Sequence, residues 1–150
     1  NERNEGFEAA IADASGWTKV GAQTANWSAD EGKSVTETVL RANNNEIDFI
    51  FAQNDEMGIG AALAVREAGL TPGEDVKIAT IDGTTGALEA LAAGDLSFVA
   101  QYNPFFGDIA IDAVNKALAG ETLEPVIIVP GEAFDSAEAG QAALDNGLGF

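Results

Sequence analysis

Five side chains stand where their chemistry can converge. Arg3 heads a predicted first helix, while Trp27, Asn54, Asp82 and Gln101 each lie at or just beyond the carboxyl end of a predicted strand. In an open parallel sheet those ends share one rim, and ligands bind in the crevice outside it. Guanidinium, carboxamide and carboxylate groups offer planar forks of donors and acceptors that match paired hydroxyls, and an indole offers a flat apolar face. That combination suits a sugar. Singly, each residue has a plainer role: Asn54 and Asp82 can cap helices, Trp27 can cover a core edge, and Arg3 can be a surface cation. The coincidence of five on one rim favours a ligand site.

The elements that must position them alternate along the chain. Phe7, Ala10, Ile11 and Ala14 recur at helical spacing, so residues 4–15 read as a helix ended by Gly16. A strand is predicted over Thr18–Thr24, then a helix capped by Ser28, with Val35, Val39 and Leu40 on one side and Asn43-Asn44-Asn45 as its stop. Ile47–Gln53 reads as a buried strand and Asp55–Ala68 as a helix closed by Gly69. Val76–Ile81 and Ser97–Tyr102 are further strands, separated by a helix over Gly86–Ala93. Pro104 suits the first turn of a helix whose Ile109, Ala113, Ala117 and Leu118 would face a core. Val126–Val129 is the last predicted strand, and residues 136–145 form an acidic, Ala-rich helix with a thin apolar face.

This tempo predicts an α/β fold, a doubly wound parallel sheet with helices on both faces, and the 150 residues read as one such unit, 1–150. The chain opens on a helix where a right-handed crossover would be fed by a strand, so a first strand is expected to be missing.

Composition removes whole classes of function. Seven Lys and Arg against 25 Asp and Glu give a net charge of −18, which repels phosphate backbones and anionic lipid. Without Cys there is no thiolate chemistry, and without His the commonest general base and transition-metal ligand are missing. No metal cage, catalytic residue or cofactor site stands out among the scattered carboxylates. Gly58-Ile59-Gly60 follows a strand and opens a helix, but Leu63 stands where a dinucleotide fingerprint needs its third glycine. Close helix-to-sheet packing is the better use of those glycines. Asp55 also follows a strand, as a phospho-accepting aspartate would, yet Gln101-Tyr102-Asn103-Pro104 lacks the lysine such a site requires. The apolar runs are too short to span a bilayer, and the polar start Asn1-Glu2-Arg3-Asn4-Glu5 has no secretory-leader pattern.

Longer stretches are more specific: Arg3-Asn4-Glu5-Gly6-Phe7, Phe51-Ala52-Gln53-Asn54-Asp55-Glu56-Met57, Ile81-Asp82-Gly83-Thr84, and Ala100-Gln101 ahead of Gly107. They resemble the type I periplasmic solute-binding proteins of sugar ABC transporters, the ribose- and galactofuranose-binding group. The resemblance covers almost the whole chain and corresponds to the C-terminal one of that family's two lobes. It implies Arg3, Asn54, Asp82 and Gln101 as hydrogen-bonding partners of a monosaccharide and Trp27 as the aromatic that stacks on it. Trp27 replaces a common phenylalanine, Gly58-Ile59 replaces an Ala-Leu-like pair, and Asn103 is individual to this chain and is a candidate additional polar contact.

What the resemblance implies is capture of a sugar between two lobes and delivery to a membrane permease, in the periplasm or outside the cell, a lipid anchor being compatible with either. No bond is made or broken, no cofactor is needed, and nucleic acid is not a partner. The strand at Val126–Val129, between Pro125 and Pro130, is the expected return to the other lobe, and an exposed sheet edge would let two copies associate. The alternative is the effector-binding domain of a LacI-type repressor, which the acidity disfavours. A sugar-modifying enzyme would have to rely on paired carboxylates alone.

Overall fold

The computed structural model describes residues 2–150, and its sheet is organised around β2 (Lys77–Asp82). β1 (Phe49–Phe51) pairs parallel with it on one side and β3 (Phe98–Gln101) on the other, with Ile50 opposite Ile78 and Asp82 opposite Gln101. A two-residue β4 (Ala133–Phe134) then runs antiparallel to β3, so the spatial order is β1-β2-β3-β4 and the α/β sheet is mixed.

Pleating sends Ile50, Ile78, Thr80 and Val99 to one face, where they meet α3 (Asp55–Glu67) and α4 (Thr85–Ala92). Ala61, Ala62, Val65, Leu88 and Leu91 complete this core with Leu40 of α2 (Ala29–Ala42). Local signals start these helices where the sequence places them. Ser28, Asn54 and Thr84 each accept a backbone N–H of the first turn. The glycines of α3 set its distances. A Cβ on Gly58 would strike the Thr80 methyl of β2, as close helix-to-sheet packing requires, whereas one on Gly60 would strike the carbonyl of Ala29 in α2. The second glycine therefore serves a helix-to-helix crossing.

The opposite face carries α1 (Glu2–Ile11), anchored by Phe7, whose ring stacks on Phe51 at 4.5 Å and on Phe49 at 5.9 Å between centroids. Trp17 meets Phe49 edge-on at 5.2 Å. α6 (Ala137–Asp145), capped by Ser136, docks on α4, with Gly140 close to the backbone of Leu88 and Ala92. Small residues are what let its thin apolar face seat.

Three expectations are corrected. Thr18–Thr24 forms no strand: all seven residues are exposed, and a cavity of about 870 Å³ separates them from β1. Val20 is the segment's one bulky apolar side chain, so pairing would bury little. Val126–Val129 is also not a strand. The place beside β3 is taken by residues 132–134, Gln101 N–H donating to the Glu132 carbonyl, and Val126 and Ile128 are left 70% and 78% exposed. Finally, α5 (Gly107–Leu118) starts three residues after Pro104, and its residues are exposed or half-buried throughout, so Ile109, Ala113, Ala117 and Leu118 do not enter the core.

Candidate ligand-binding site

The carboxyl ends of β1, β2 and β3 form one rim, and Arg3 reaches over it from α1. Its Nη2 donates to Asp82 Oδ1 at 2.8 Å and its Nη1 to the Gln53 carbonyl at 2.5 Å. The guanidinium carbon also lies 5.6 Å from the Trp27 ring centre and 5.4 Å from that of Tyr102. A planar cation thus sits against two aromatic faces while its edges are held by a carboxylate and a carbonyl. A hollow of about 350 Å³ opens here, bounded by Glu2, Arg3, Trp27 and Gln53, at the small end of the range for ligand sites.

Three of the five non-glycine residues with positive φ among the described residues lie here, Asn44 and Asn45 after α2 being the other two. Asp82 has φ +141° and is followed by Gly83 at +91°, while Asn26 and Trp27 have φ +48° and +63°. Non-glycine residues in such conformations cost on the order of 1–3 kcal/mol each, and they persist where the surroundings over-determine them. The turn at 26–27 leaves the Trp27 indole 59% exposed, and Asn26 Nδ2 ties that turn to Glu31 Oε2 at 2.7 Å. Tyr102 is 66% exposed, and its N–H donates to the Asp82 carbonyl at 2.8 Å. Both aromatic side chains remain largely exposed beside the Arg3 guanidinium.

Burial pushes the Asp82 carboxyl above the ordinary aspartate range; Arg3 pulls it back, and the negative charges of Asp55 and Glu56 add to the rise. An arginine partner normally lowers an aspartate, so here desolvation outweighs it.

The five predicted residues are not equivalent. Arg3, Trp27 and Asp82 come together. Asn54 is buried beside them, but its Oδ1 caps α3 by accepting Met57 N–H at 3.1 Å, and its Nδ2 donates to Glu56 Oε2 at 2.5 Å and to the Trp27 carbonyl at 3.5 Å. Its immediate role is to join the Trp27 turn to α3. Gln101 lies opposite Asp82 in register, yet its amide donates to the Leu148 carbonyl at 3.0 Å and accepts Glu132 N–H at 3.4 Å. Asn103 is likewise engaged with the Pro130 carbonyl and Phe105 N–H. Asp82 does not cap α4; Thr84 does. Tyr102 and the Gln53 carbonyl were not among the predicted contacts. The signal for Tyr102 was its place directly after Gln101 at a strand end, the same logic that selects its neighbours. Among the described residues no group of carboxylates is arranged to hold a metal ion, and no helix is long and apolar enough to cross a membrane.

An α/β sheet whose carboxyl rim carries an arginine paired with an aspartate, exposed aromatics and a hollow lined by Glu2, Arg3, Trp27 and Gln53 has the form in which open sheets bind small molecules. Residues 1–122 match the periplasmic binding protein domain, and the chain belongs to that family. It is 53% identical over 125 residues to the fructose import binding protein of Bifidobacterium longum, an alignment covering 83% of this chain and 37% of the relative. It is 34% identical over 117 residues to the galactofuranose-binding protein of Escherichia coli K12, covering 77% and 37%. A solved structure from Mycobacterium smegmatis in complex with β-D-fucofuranose superposes with a TM-score of 0.87 at 38% identity, covering 98% of this chain and 48% of that one. The arabinose ABC transporter component of Shewanella sp. ANA-3, bound to arabinofuranose, gives 0.88 at 33% identity, covering 97% and 48%. The chain therefore spans between a third and a half of the length of the relatives it matches. The fructose relative is named as an import binding protein and the arabinose relative as the periplasmic binding protein component of an ABC transporter.

Proposed function

We propose that this chain is one sugar-binding lobe of the solute-binding component of an ABC importer, acting outside the cytoplasmic membrane and delivering its ligand to a permease without chemical change. The observation that carries this reading is Arg3, held between Asp82, the Gln53 carbonyl and the faces of Trp27 and Tyr102 at the sheet rim. Arg3 and Asp82 would meet neighbouring hydroxyls with charge-assisted hydrogen bonds, and the exposed indole would cover the C–H face of the ring. The names of the fructose, galactofuranose, arabinofuranose and fucofuranose relatives support a monosaccharide, with furanose forms as the first to try.

Specificity would follow from leaving buried polar groups unpaired when the wrong epimer enters. If a second lobe supplies the remaining contacts, ligand biases an open-to-closed equilibrium because only the closed state makes both sets. The test is calorimetric titration of the protein that carries this chain with D-fructose, L-arabinose and D-ribose. Saturable binding with the sugar recovered unchanged is expected. No binding of any monosaccharide, or conversion of the sugar, would refute the reading. Residues 1–150 alone should bind only weakly, and micromolar affinity from them would contradict the one-lobe part.

A further inference from the structure

Asp55 is a wholly buried carboxylate that the proposed sugar contacts do not use. It is the first residue of α3, and its Oδ2 receives three donors: Gly83 N–H at 2.8 Å, Thr84 N–H at 2.7 Å and Thr84 Oγ1 at 2.9 Å. Its Oδ1 has no hydrogen-bond partner among the described residues. All three donors belong to the turn that directly follows Asp82, the rim residue with a backbone that side-chain-bearing residues rarely adopt.

The turn is confined on its other sides too. A Cβ on Gly83 would press on the Gln101 side chain at 3.0–3.2 Å, and the Asp82 carbonyl is held by Tyr102 N–H. The Asp55 contacts tie the turn to the first residue of α3. Together with the pairing to β3 they oppose relaxation of Asp82 to an ordinary extended conformation, in which its carboxylate would leave Arg3.

We infer that Asp55 is a positioning residue for the binding site: by gripping Gly83 and Thr84 it enforces the strained turn that aims Asp82 at Arg3. The charge matters because three donors converge on one oxygen, a load that an anion carries and a neutral amide carries poorly. An asparagine would also place an N–H₂ where the unpartnered Oδ1 now lies, burying a donor without an acceptor. The consequence for affinity rests on the proposed sugar-binding function; the geometric consequence for Arg3 and Asp82 does not.

The test compares Asp55→Asn, Asp55→Glu, Thr84→Val and Thr84→Ser by NMR, following the Arg3 Nε–H, the Asp82 carboxyl carbon and amide exchange at Gly83, Thr84, Ile78 and Val99. Both Asp55 variants should shift the Arg3 and Asp82 signals and speed exchange at 83 and 84, with Ile78 and Val99 still protected. The glutamate variant keeps the charge, so a shift there reports position rather than field. Thr84→Val removes one donor of the three together with the α4 cap and gives a smaller shift of the same kind, while Thr84→Ser, which keeps the hydroxyl for both bonds, should leave the Arg3 and Asp82 signals in place; this pair decides the matter if the Asp55 variants do not fold. Accelerated exchange at 83 and 84 with unmoved Arg3 and Asp82 signals would overturn the inference, since Asp55 would then be a structural cap only. In the protein that carries this chain, Asp55→Asn should weaken D-fructose binding about tenfold, and should weaken it no further when Asp82 is already asparagine. Additive losses would count against the inference. If the parent protein binds no D-fructose, the NMR arm still decides, and the failure belongs to the proposed ligand.

Discussion

Gly32→Ala should loosen the helix crossing on which the site rests. In a free helix this change is favourable by about 1 kcal/mol, because alanine loses less backbone entropy than glycine. Here the new methyl would lie 2.7 Å from the Met57 carbonyl oxygen and 2.8 Å from Met57 Cα, both backbone atoms of α3 that no rotamer change can move. Ordinary contact needs about 3.5–4 Å, so α2 and α3 must separate by most of an ångström. Overpacking of this kind costs about 1–3 kcal/mol, which exceeds the propensity gain through most of its range.

A net loss of about 1 kcal/mol is expected at the middle of that range, equivalent to roughly 2–4 °C in the thermal midpoint for a chain of this size. Met57 is also the residue whose N–H bonds to Asn54, so the displacement is passed to the cap that joins α3 to the Trp27 turn. Urea and thermal unfolding monitored by circular dichroism measure the loss, and Trp fluorescence monitors the turn. A Gly32→Ala variant as stable as the parent, or more stable, would refute the claim that this glycine is required by the crossing.

Further outcomes follow from the site. Arg3→Lys keeps the charge but not the fork, so it cannot hold Asp82 and the Gln53 carbonyl together in the same plane; sugar affinity measured by calorimetry should fall about tenfold or more, with the thermal midpoint little changed because the ion pair is partly exposed. Tyr102→Ala and Trp27→Ala should each weaken binding, the second also removing any ligand-induced fluorescence change from that indole, and unchanged affinity in either would exclude an aromatic wall on that side. Asp82 has a raised pKa in the folded chain, so the native state takes up its proton before the unfolded state does as pH falls. The cost of its charge is thus present above the folded value and relieved on acidification toward the ordinary aspartate value, while its bond to Arg3 weakens over the same interval. Sugar affinity should decline at a pH above that of an ordinary aspartate, and the Asp82→Asn variant should lack this step.

Strand-end placement led to Asp82 because a parallel sheet brings its carboxyl ends together whatever the details of its loops, whereas Arg3 was chosen as the head of a helix and Trp27 reaches the rim from the turn before α2, not from the end of the strand expected over Thr18–Thr24. It overlooked Tyr102, one residue further along, and it read Asp55 only as a possible reacting group, since burial and bonding to Gly83 and Thr84 depend on two segments 28 residues apart. It also treated Asn54 and Gln101 alike as ligand contacts. In the folded chain each has neighbours that compete for its amide, at Met57 and Glu56 for one and at Leu148 and Glu132 for the other.

What the sequence by itself determined are the local matters: apolar periodicity, the cap at Ser28, the glycine that closes α3, and an acidity that belongs to the surface, whereas α1 ends at Ile11, short of the Gly16 expected to stop it. Each depends on residues within a turn or two of one another. The tertiary structure alone decided which extended segments become strands, because a strand needs a partner edge and enough apolar area to hold it there. Thr18–Thr24 lacks the area, and Val126–Val129 finds the edge of β3 taken by Ala133–Phe134. It also decided that Arg3 should meet Asp82, 79 residues away, and that a buried aspartate should hold the turn between them.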